Sequence, residues 1–204
     1  MEFDVAEVQA AGVSLYDEMI RGCLDDRVLV FNKEVSDDVI EDYVLNILKW
    51  NKEDKYKPVD KRKPIRIYIN SPGGDLVVAM HLCDIIQASK TPIVAVGTGL
   101  VASAAFHIYI MCHERIAFEN TVFLMHDGQL TVQNSGSKAK DVMRFYDTID
   151  ERVKGYVLSR TKMTSDYYDD HYDQELYMYS VEAKEFGIVD KIIGVDEDID
   201  YLFT

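Results

Sequence analysis

The stretch from Ile67 to Ser103 constrains the fold of this 204-residue chain more than any other part of it. An apolar run, Ile67-Tyr68-Ile69, is broken by Asn70-Ser71-Pro72-Gly73-Gly74. Proline has no backbone N–H with which to continue a central strand, and glycine adopts backbone conformations that are closed to other residues. The pattern therefore predicts a strand that ends in a loop of exposed backbone N–H groups.

The same stretch ends in a serine with an unusual setting. A second apolar run, 93–96, leads into Gly97-Thr98-Gly99, which we interpret as a turn. Ser103 follows among small residues, where an apolar helix is predicted to begin. Backbone N–H groups at a loop and at a helix N-terminus can bind a developing negative charge. We therefore interpret the stretch as the site of a serine nucleophile.

Strands and helices alternate along the chain, which predicts an α/β fold with largely parallel strands. The predicted strands cover residues 27–31, 65–69, 93–96, 115–118, 121–125 and 188–193. The predicted helices cover 36–50, 75–90, 103–112 and 137–158, and two more begin near 164 and 180. We interpret the lysine-rich segment 51–63 as a solvated surface insertion, 1–26 as an N-terminal arm and 195–204 as an acidic tail.

Charge and composition exclude several classes of function. The net charge of −14 argues against a nucleic-acid-binding protein, which needs a basic surface. The acidic N-terminus lacks a signal-peptide pattern, and no uninterrupted apolar run reaches the roughly 18 residues of a membrane span. Cys23, Cys83 and Cys112 lack metal-type spacing and are typical of reduced cytoplasmic thiols. No nucleotide-binding glycine motif is present. No metal site and no cofactor are predicted.

A serine nucleophile needs a neighbouring base, and the base needs an acid that orients it. His126 directly follows the apolar run 122–125, which places it at the carboxyl end of a strand, where open α/β sheets gather their sites. Its alternative interpretation is a structural histidine at a strand end. The other histidines, which have weaker placements, are His81, His107, His113 and His171. The residues alone leave the acid open among Asp169, Asp170, Asp173 and Glu175.

Four blocks of sequence then resemble, in order, those of the Clp protease proteolytic subunit family (ClpP), over residues 27–193. They are Tyr68-Ile69-Asn70-Ser71-Pro72-Gly73-Gly74, Gly99-Leu100-Val101-Ala102-Ser103-Ala104, Leu124-Met125-His126 and the segment 182–191. The resemblance implies a crotonase-like fold of repeated β-α units with a long protruding handle helix, in a peptidase domain spanning 27–194. It also implies cytoplasmic heptameric rings, stacked into a tetradecamer, that hydrolyse unfolded polypeptides. An AAA+ unfoldase partner would be the only component to use ATP.

The resemblance also implies roles for single residues. Ser103 falls on the nucleophile, His126 on the base, and Gly73 and Ala104 on the two oxyanion N–H donors. Glu175 falls where the family usually has aspartate, with Asp173 two residues earlier as the alternative acid. The substrate strand would pair beside Gly74 and Asp75.

The chain departs from the family pattern at several of these places, and three alternative functions follow. Ala104 replaces the usual methionine, Ala105 replaces a glycine, and the arginines that join ring to ring are missing near 173–176. The first alternative is a catalytically impaired subunit that serves as a structural partner. The second is a crotonase-type acyl-CoA enzyme, which would use glutamates. The third is a serine–lysine signal-peptide peptidase, which would need a lysine in place of His126.

Overall fold

A seven-stranded sheet forms the centre of the protein, in a computed structural model that describes residues 14–129 and 131–203. The strands are β1 (Val28–Phe31), β2 (Ile65–Ser71), β3 (Ile93–Ala102), β4 (Glu114–Phe118), β5 (Val122–Met125), β6 (Leu176–Tyr179) and β7 (Lys191–Ile193). The helices are α1 (Leu15–Asp25), α2 (Leu45–Glu53), α3 (Leu76–Ala88), α4 (Ala104–Met111), α5 (Gly136–Arg160), α6 (Ser165–His171) and α7 (Ser180–Glu185). A π-helical turn (Ile40–Val44) precedes α2, and 3₁₀ turns occur at Val59–Lys61 and Ile199–Phe203.

The sheet is parallel except at one edge. Its main path is β1-β2-β3-β4-β7, all parallel, while β5 pairs in parallel with β3 and carries β6 antiparallel at its side. Ile65, Ile67 and Ile69 of β2 are fully buried on one face, where α3 and α4 also contribute to the core. Every residue of α4 is buried, as expected of a helix that is apolar on all sides.

The predicted turn at Gly97-Thr98-Gly99 is wrong, because β3 continues through it to Ala102. The register between β2 and β3 shifts here, so that Gly97 pairs with Ile69 but Val101 pairs with Ser71. The side chain of Asn70 fills the irregularity by accepting a hydrogen bond from the N–H of Leu100 at 2.9 Å. Gly99 has φ +87°, and a Cβ there would lie 2.7 Å from Asn70 Oδ1. The glycines thus serve a bulge inside one strand.

Most of the segment 51–63 is exposed, as its composition predicts, but the segment also has a buried anchor. Asp54 is fully buried and accepts hydrogen bonds from the guanidinium of Arg27 and from the hydroxyl of Thr91. The Arg27 guanidinium, followed by Lys57, holds the pKa of the Asp54 carboxyl well below its usual range. The segment is therefore anchored to the start of β1 by a buried ion pair.

The remaining elements lie at the ends of the chain and outside the sheet. Residues 1–13 of the predicted arm lie outside the described residues, and α1 forms the rest of it. The handle helix α5 is 25 residues long and buries only Ile149, Val153 and Val157. Across residues 14–129 and 131–203, no helix is both long and apolar enough to span a bilayer.

Candidate active site

Ser103 occupies the sharp connection between β3 and α4. Its backbone has φ 54° and ψ −126°, a conformation that costs a non-glycine residue roughly 1–3 kcal/mol. Such strain concentrates at active sites, where the surrounding structure enforces it. The N–H of Ser103 donates to the carbonyl of Leu124 at 2.9 Å, which ties the serine to β5 just before His126.

Gly73 packs directly against this serine. A Cβ at Gly73 would lie 2.6 Å from the Cβ of Ser103 and 3.1 Å from the backbone nitrogen of Ala104, so only glycine fits. Its φ of +100° also favours glycine. Ala104 is the first residue of α4, and the N–H of a first helical residue has no partner within its helix. Gly73 therefore packs against Ser103, and Ala104 directly follows it in the chain, so both predicted oxyanion donors belong to neighbours of the serine.

The N–H of Gly73 already has a partner that sequence reasoning missed. It donates to the hydroxyl of Ser71 at 3.2 Å, and Ser71 is almost completely buried. A serine two residues before a glycine in a turn is the local signal that could have indicated this bond. An oxyanion at the site would compete with the Ser71 hydroxyl for this donor, with the advantage of its charge.

His126 and Glu175 form the clearest polar contact of the site. His126 Nδ1 lies 2.9 Å from Glu175 Oε1. Because an ionised carboxylate only accepts hydrogen bonds, we assign the proton of the neutral imidazole to Nδ1 and the lone pair to Nε2. His126 Nε2 is buried and has no hydrogen-bond partner, and no hydrogen bond joins it to Ser103. The ring nitrogen that a general base needs is thus available.

The pairing of β5 with β6 explains why Glu175 reaches His126. Met125 is the register partner of Leu176, so the next residues outward, His126 and Glu175, leave the two strands side by side. The strand β6 was absent from the sequence prediction. Asp173 is exposed and forms no hydrogen bond to His126. Of the candidate acids, the structure brings Glu175 to the histidine.

Gly74 and Asp75 form a short extended edge beside the serine. The N–H of Val35 donates to the carbonyl of Gly73, and the N–H of Asp75 donates to the carbonyl of Val35. Because backbone groups alternate along an extended chain, the N–H and C=O of Gly74 point away from Val35. They can pair with an added peptide strand. The side chain of Asp75 instead caps α3 by accepting from the N–H of Val78 at 2.9 Å.

Of the other four histidines, two form contacts elsewhere and one is exposed, while the fourth, His107, is buried near His126. His113 Nδ1 accepts from the backbone of Ile93, His171 stacks on Tyr167, and His81 is exposed. His107 is buried one turn into α4, and its Nδ1 has no hydrogen-bond partner. Burial, and to a lesser extent the charge that His126 carries once it is protonated, lower the pKa of His107 to about 4, so His107 is neutral at physiological pH.

The chemistry that this arrangement supports is acyl transfer. A serine in a strained turn packs against Gly73 and directly precedes the first N–H of α4, and a histidine beside a carboxylate follows the strand next to it. Within the part of the chain that the structure describes, no three His, Cys, Asp or Glu side chains are grouped to hold a metal ion.

Comparison with known proteins decides the family. The family model described as Clp protease matches residues 11–196 of the chain. The chain belongs to the Clp protease family. Its similarity to the ATP-dependent Clp protease proteolytic subunit 3 of Rhizobium johnstonii is 31% identity over 137 residues, 66% of this chain and 71% of that protein. Its similarity to proteolytic subunit 2 of Prochlorococcus marinus is 25% over 176 residues, 83% of each chain.

The Clp protease fold is also confirmed by structure. A ClpP1 variant from Listeria monocytogenes superimposes with a TM-score of 0.75 at 25% identity, covering 90% of this chain and 99% of that one. The predicted α/β fold of the ClpP type is therefore correct, and the modest identities make this chain a divergent member of the Clp protease family.

Proposed function

We propose that this protein is a serine-type endopeptidase subunit that hydrolyses peptide bonds of unfolded polypeptides. The observation that carries the proposal is the 2.9 Å contact of Glu175 with His126 Nδ1, which leaves Nε2 unpartnered and able to accept a proton. Membership of a family of protease subunits supports the same reaction. The crotonase-type alternative gains no support, because the contact next to the strained serine is a histidine–carboxylate pair.

In this proposal the reaction follows the order of acyl transfer. His126 Nε2 takes the proton of the Ser103 hydroxyl as the oxygen attacks a peptide carbonyl. The N–H groups of Gly73 and Ala104 stabilise the oxyanion, with Gly73 exchanging its bond to Ser71 for one to the charged oxygen. His126 returns the proton to the leaving amine, and water then hydrolyses the acyl-enzyme. Glu175 holds the imidazole in the required tautomer.

We propose further that these subunits act in the cytoplasm within a heptameric ring, alone or as a stacked pair, and that an AAA+ unfoldase delivers the substrate. The names of the relatives support this arrangement, since each is a proteolytic subunit of an ATP-dependent protease. No cofactor of its own is needed by the proposed reaction.

Covalent labelling tests the proposed nucleophile. A fluorophosphonate probe should label the wild-type protein at Ser103, and Ser103→Ala or His126→Ala should abolish labelling. Ser159→Ala, which changes a serine on α5 that bonds only to the backbone of Tyr156, should label like the wild type. Mass spectrometry of the labelled peptide identifies the residue.

A second candidate function is an interaction subunit that has kept the fold without the activity. Two observations favour it: no hydrogen bond joins Ser103 to His126, and the N–H of Gly73 is engaged by Ser71. The same labelling experiment separates the two functions. If native mass measurement shows the protein assembled while Ser103 stays unlabelled, the interaction subunit replaces the peptidase.

A further inference from the structure

A cavity of about 370 Å³ lies where the end of α5 meets β4 and the loop between α7 and β7. Its charged lining, four basic side chains and one carboxylate, consists of Arg115, Arg160, Lys162, Lys184 and Asp190. We call this site the basic cavity. The chain as a whole has a net charge of −14, so a local excess of positive charge runs against its composition and calls for an explanation.

Two of the four basic side chains have carboxylate partners. The guanidinium of Arg115 donates through Nη2 to Asp190 Oδ1 at 2.5 Å and through Nε to Asp190 Oδ2 at 3.0 Å. The ammonium of Lys184 pairs with Asp196, whose side chain lies outside the lining of the basic cavity. The charges of Arg115 and Lys184 are therefore balanced within the protein.

Arg160 pairs with no carboxylate in the part of the chain that the structure describes. Its guanidinium donates through Nε to the carbonyl of Ile110 at 3.0 Å and through Nη2 to that of Cys112 at 2.5 Å, at the end of α4. A guanidinium has five N–H groups, so the two on Nη1 remain available among these residues. Burial, followed by the charge of Arg115, lowers the pKa of the Arg160 guanidinium. A bound anion would offset this destabilisation of its charged form.

Lys162 is held at the basic cavity by its backbone and by the stem of its side chain. Its N–H donates to the carbonyl of Phe186 at 2.7 Å. The stem packs on Gly187, where a Cβ would lie 3.0 Å from Lys162 Cγ and where φ is +67°, so glycine suits the position in both respects. Across residues 14–129 and 131–203, the Lys162 ammonium forms no ion pair. The basic cavity thus has two positive charges, those of Arg160 and Lys162, without a carboxylate partner.

From these observations we propose that the basic cavity binds a phosphate group, either as free inorganic phosphate or on a small phosphorylated ligand. A phosphate group carries close to two negative charges at neutral pH, which matches the two unpaired cations, whereas a single carboxylate would leave one of them unbalanced. Guanidinium and ammonium groups are the side chains that bind phosphate in proteins. The proposal does not depend on the peptidase reaction, because Arg160 contacts the end of α4 that is roughly 12 Å from Ser103.

Phosphorus NMR of the full-length protein tests the proposal. Inorganic phosphate is titrated with protein at constant ionic strength, and binding is measured from the broadening of the phosphate resonance. Lys162→Gln should weaken phosphate binding about tenfold, because the basic cavity loses a charged hydrogen-bond donor. Lys52→Gln is the matched control, since it removes the same charge from an exposed lysine of α2, and it should bind phosphate like the wild type. O-phosphoserine serves as the probe for a phosphorylated ligand: tighter binding than inorganic phosphate assigns the site to such a ligand, and weaker binding assigns it to free phosphate.

Three results would overturn the proposal. One is the absence of broadening with the wild-type protein. Another is an equal loss of binding in Lys162→Gln and Lys52→Gln, which would indicate unspecific attraction to surface charge. The third is displacement of phosphate by acetate as readily as by O-phosphoserine, which would show that the cavity does not select a phosphate group. Should Lys162→Gln lose the wild-type circular dichroism spectrum, Lys184→Gln removes another lining cation and should also weaken binding; unchanged binding in that variant would count against the site.

Discussion

At the scale of single residues, the hydrogen bond between Glu175 and His126 is the contact on which catalysis should depend most clearly. We expect Glu175→Ala to lower the rate of peptide hydrolysis by roughly 10²–10⁴-fold, because His126 loses the group that fixes its tautomer and stabilises its charged form. A fluorogenic peptide assay of the variant gives the rate. The labelling rate at Ser103 should fall with it.

Asp173→Ala supplies the matched control for this prediction. Asp173 carries the same charge two residues away, is exposed, and forms no hydrogen bond to His126. Its removal should leave hydrolysis near the wild-type rate. If Asp173→Ala were the more damaging of the two, the acid of the site would be Asp173 instead.

A second residue-scale prediction concerns His107 and pH. Burial holds the pKa of His107 at about 4, below the 6.5 expected when the chain unfolds. Between these two pH values, the unfolded state binds a proton at His107 that the folded state does not bind. Well above pH 6.5, the buried His107 does not lower the free energy of unfolding. The loss of stability grows as the pH falls through 6.5 toward 4. At pH 5 it amounts to about 2 kcal/mol. Urea denaturation at pH 7.5 and pH 5 measures the difference.

His107→Gln should reduce this loss of stability at pH 5, while His81→Gln, at an exposed position, should keep the wild-type dependence. Some dependence will remain in the first variant, because burial also lowers the pKa of His113. Identical pH dependence in the wild type and His107→Gln would show that His107 is not held neutral by the fold.

The residues of the site could be predicted where a short stretch of sequence around them indicates their place in the fold. Ser103, Gly73 and His126 stand at strand ends in recognisable local sequences, so their places in the candidate site could be predicted from the amino-acid sequence. The distance from Glu175 to His126 depends on the pairing of two strands about 50 residues apart, and residues alone left the acid open. The bond from Gly73 to Ser71 depends on the backbone conformation at φ +100°, which composition does not reveal.

At the scale of elements, segment 51–63 is solvated over most of its length but holds an anchor that composition does not reveal. Lysines dominate it, but Asp54 is buried against Arg27. Asp54→Ala should lower the free energy of unfolding by roughly 3–5 kcal/mol, because it leaves a buried guanidinium without its main partner. Asp60→Ala, in the same segment but largely exposed, should not move the urea midpoint. Equal midpoints for the two variants would contradict the anchoring role of Asp54.

Two features were not predicted from the sequence, the continuation of β3 through its glycines and the strand β6, and both depend on pairing with a neighbouring strand. Gly97 and Gly99 normally indicate a turn, yet pairing with β2 and the side chain of Asn70 stabilise a continuous strand. The strand β6 is only four residues long and lacks a clean alternation of apolar and polar residues, so its pairing with β5 supplies what its sequence does not. Tertiary contacts overrode local preference in both cases.

At the scale of the whole molecule, exposed apolar side chains indicate surfaces that assembly should cover. Met143 and Phe145 on α5 are 57% and 58% exposed, and Tyr177 and Tyr179 stand out from the edge strand β6 at 59% each. Large apolar side chains grouped on a handle helix and on an unpaired strand edge are typical of protein interfaces. We therefore expect the subunits of the proposed ring to meet at these two elements.

The double variant Met143→Asp/Phe145→Asp tests this placement. Charged side chains at a buried interface carry a desolvation cost, so the variant should shift from the assembled species toward smaller ones in native mass spectrometry. Val59→Asp places a new charge at a similarly exposed apolar position outside the proposed interface and should leave the mass distribution unchanged. If the two variants behaved alike, α5 would not be part of the interface. Because the change lies outside the catalytic residues, any loss of Ser103 labelling that accompanies dissociation would link the activity of the site to assembly.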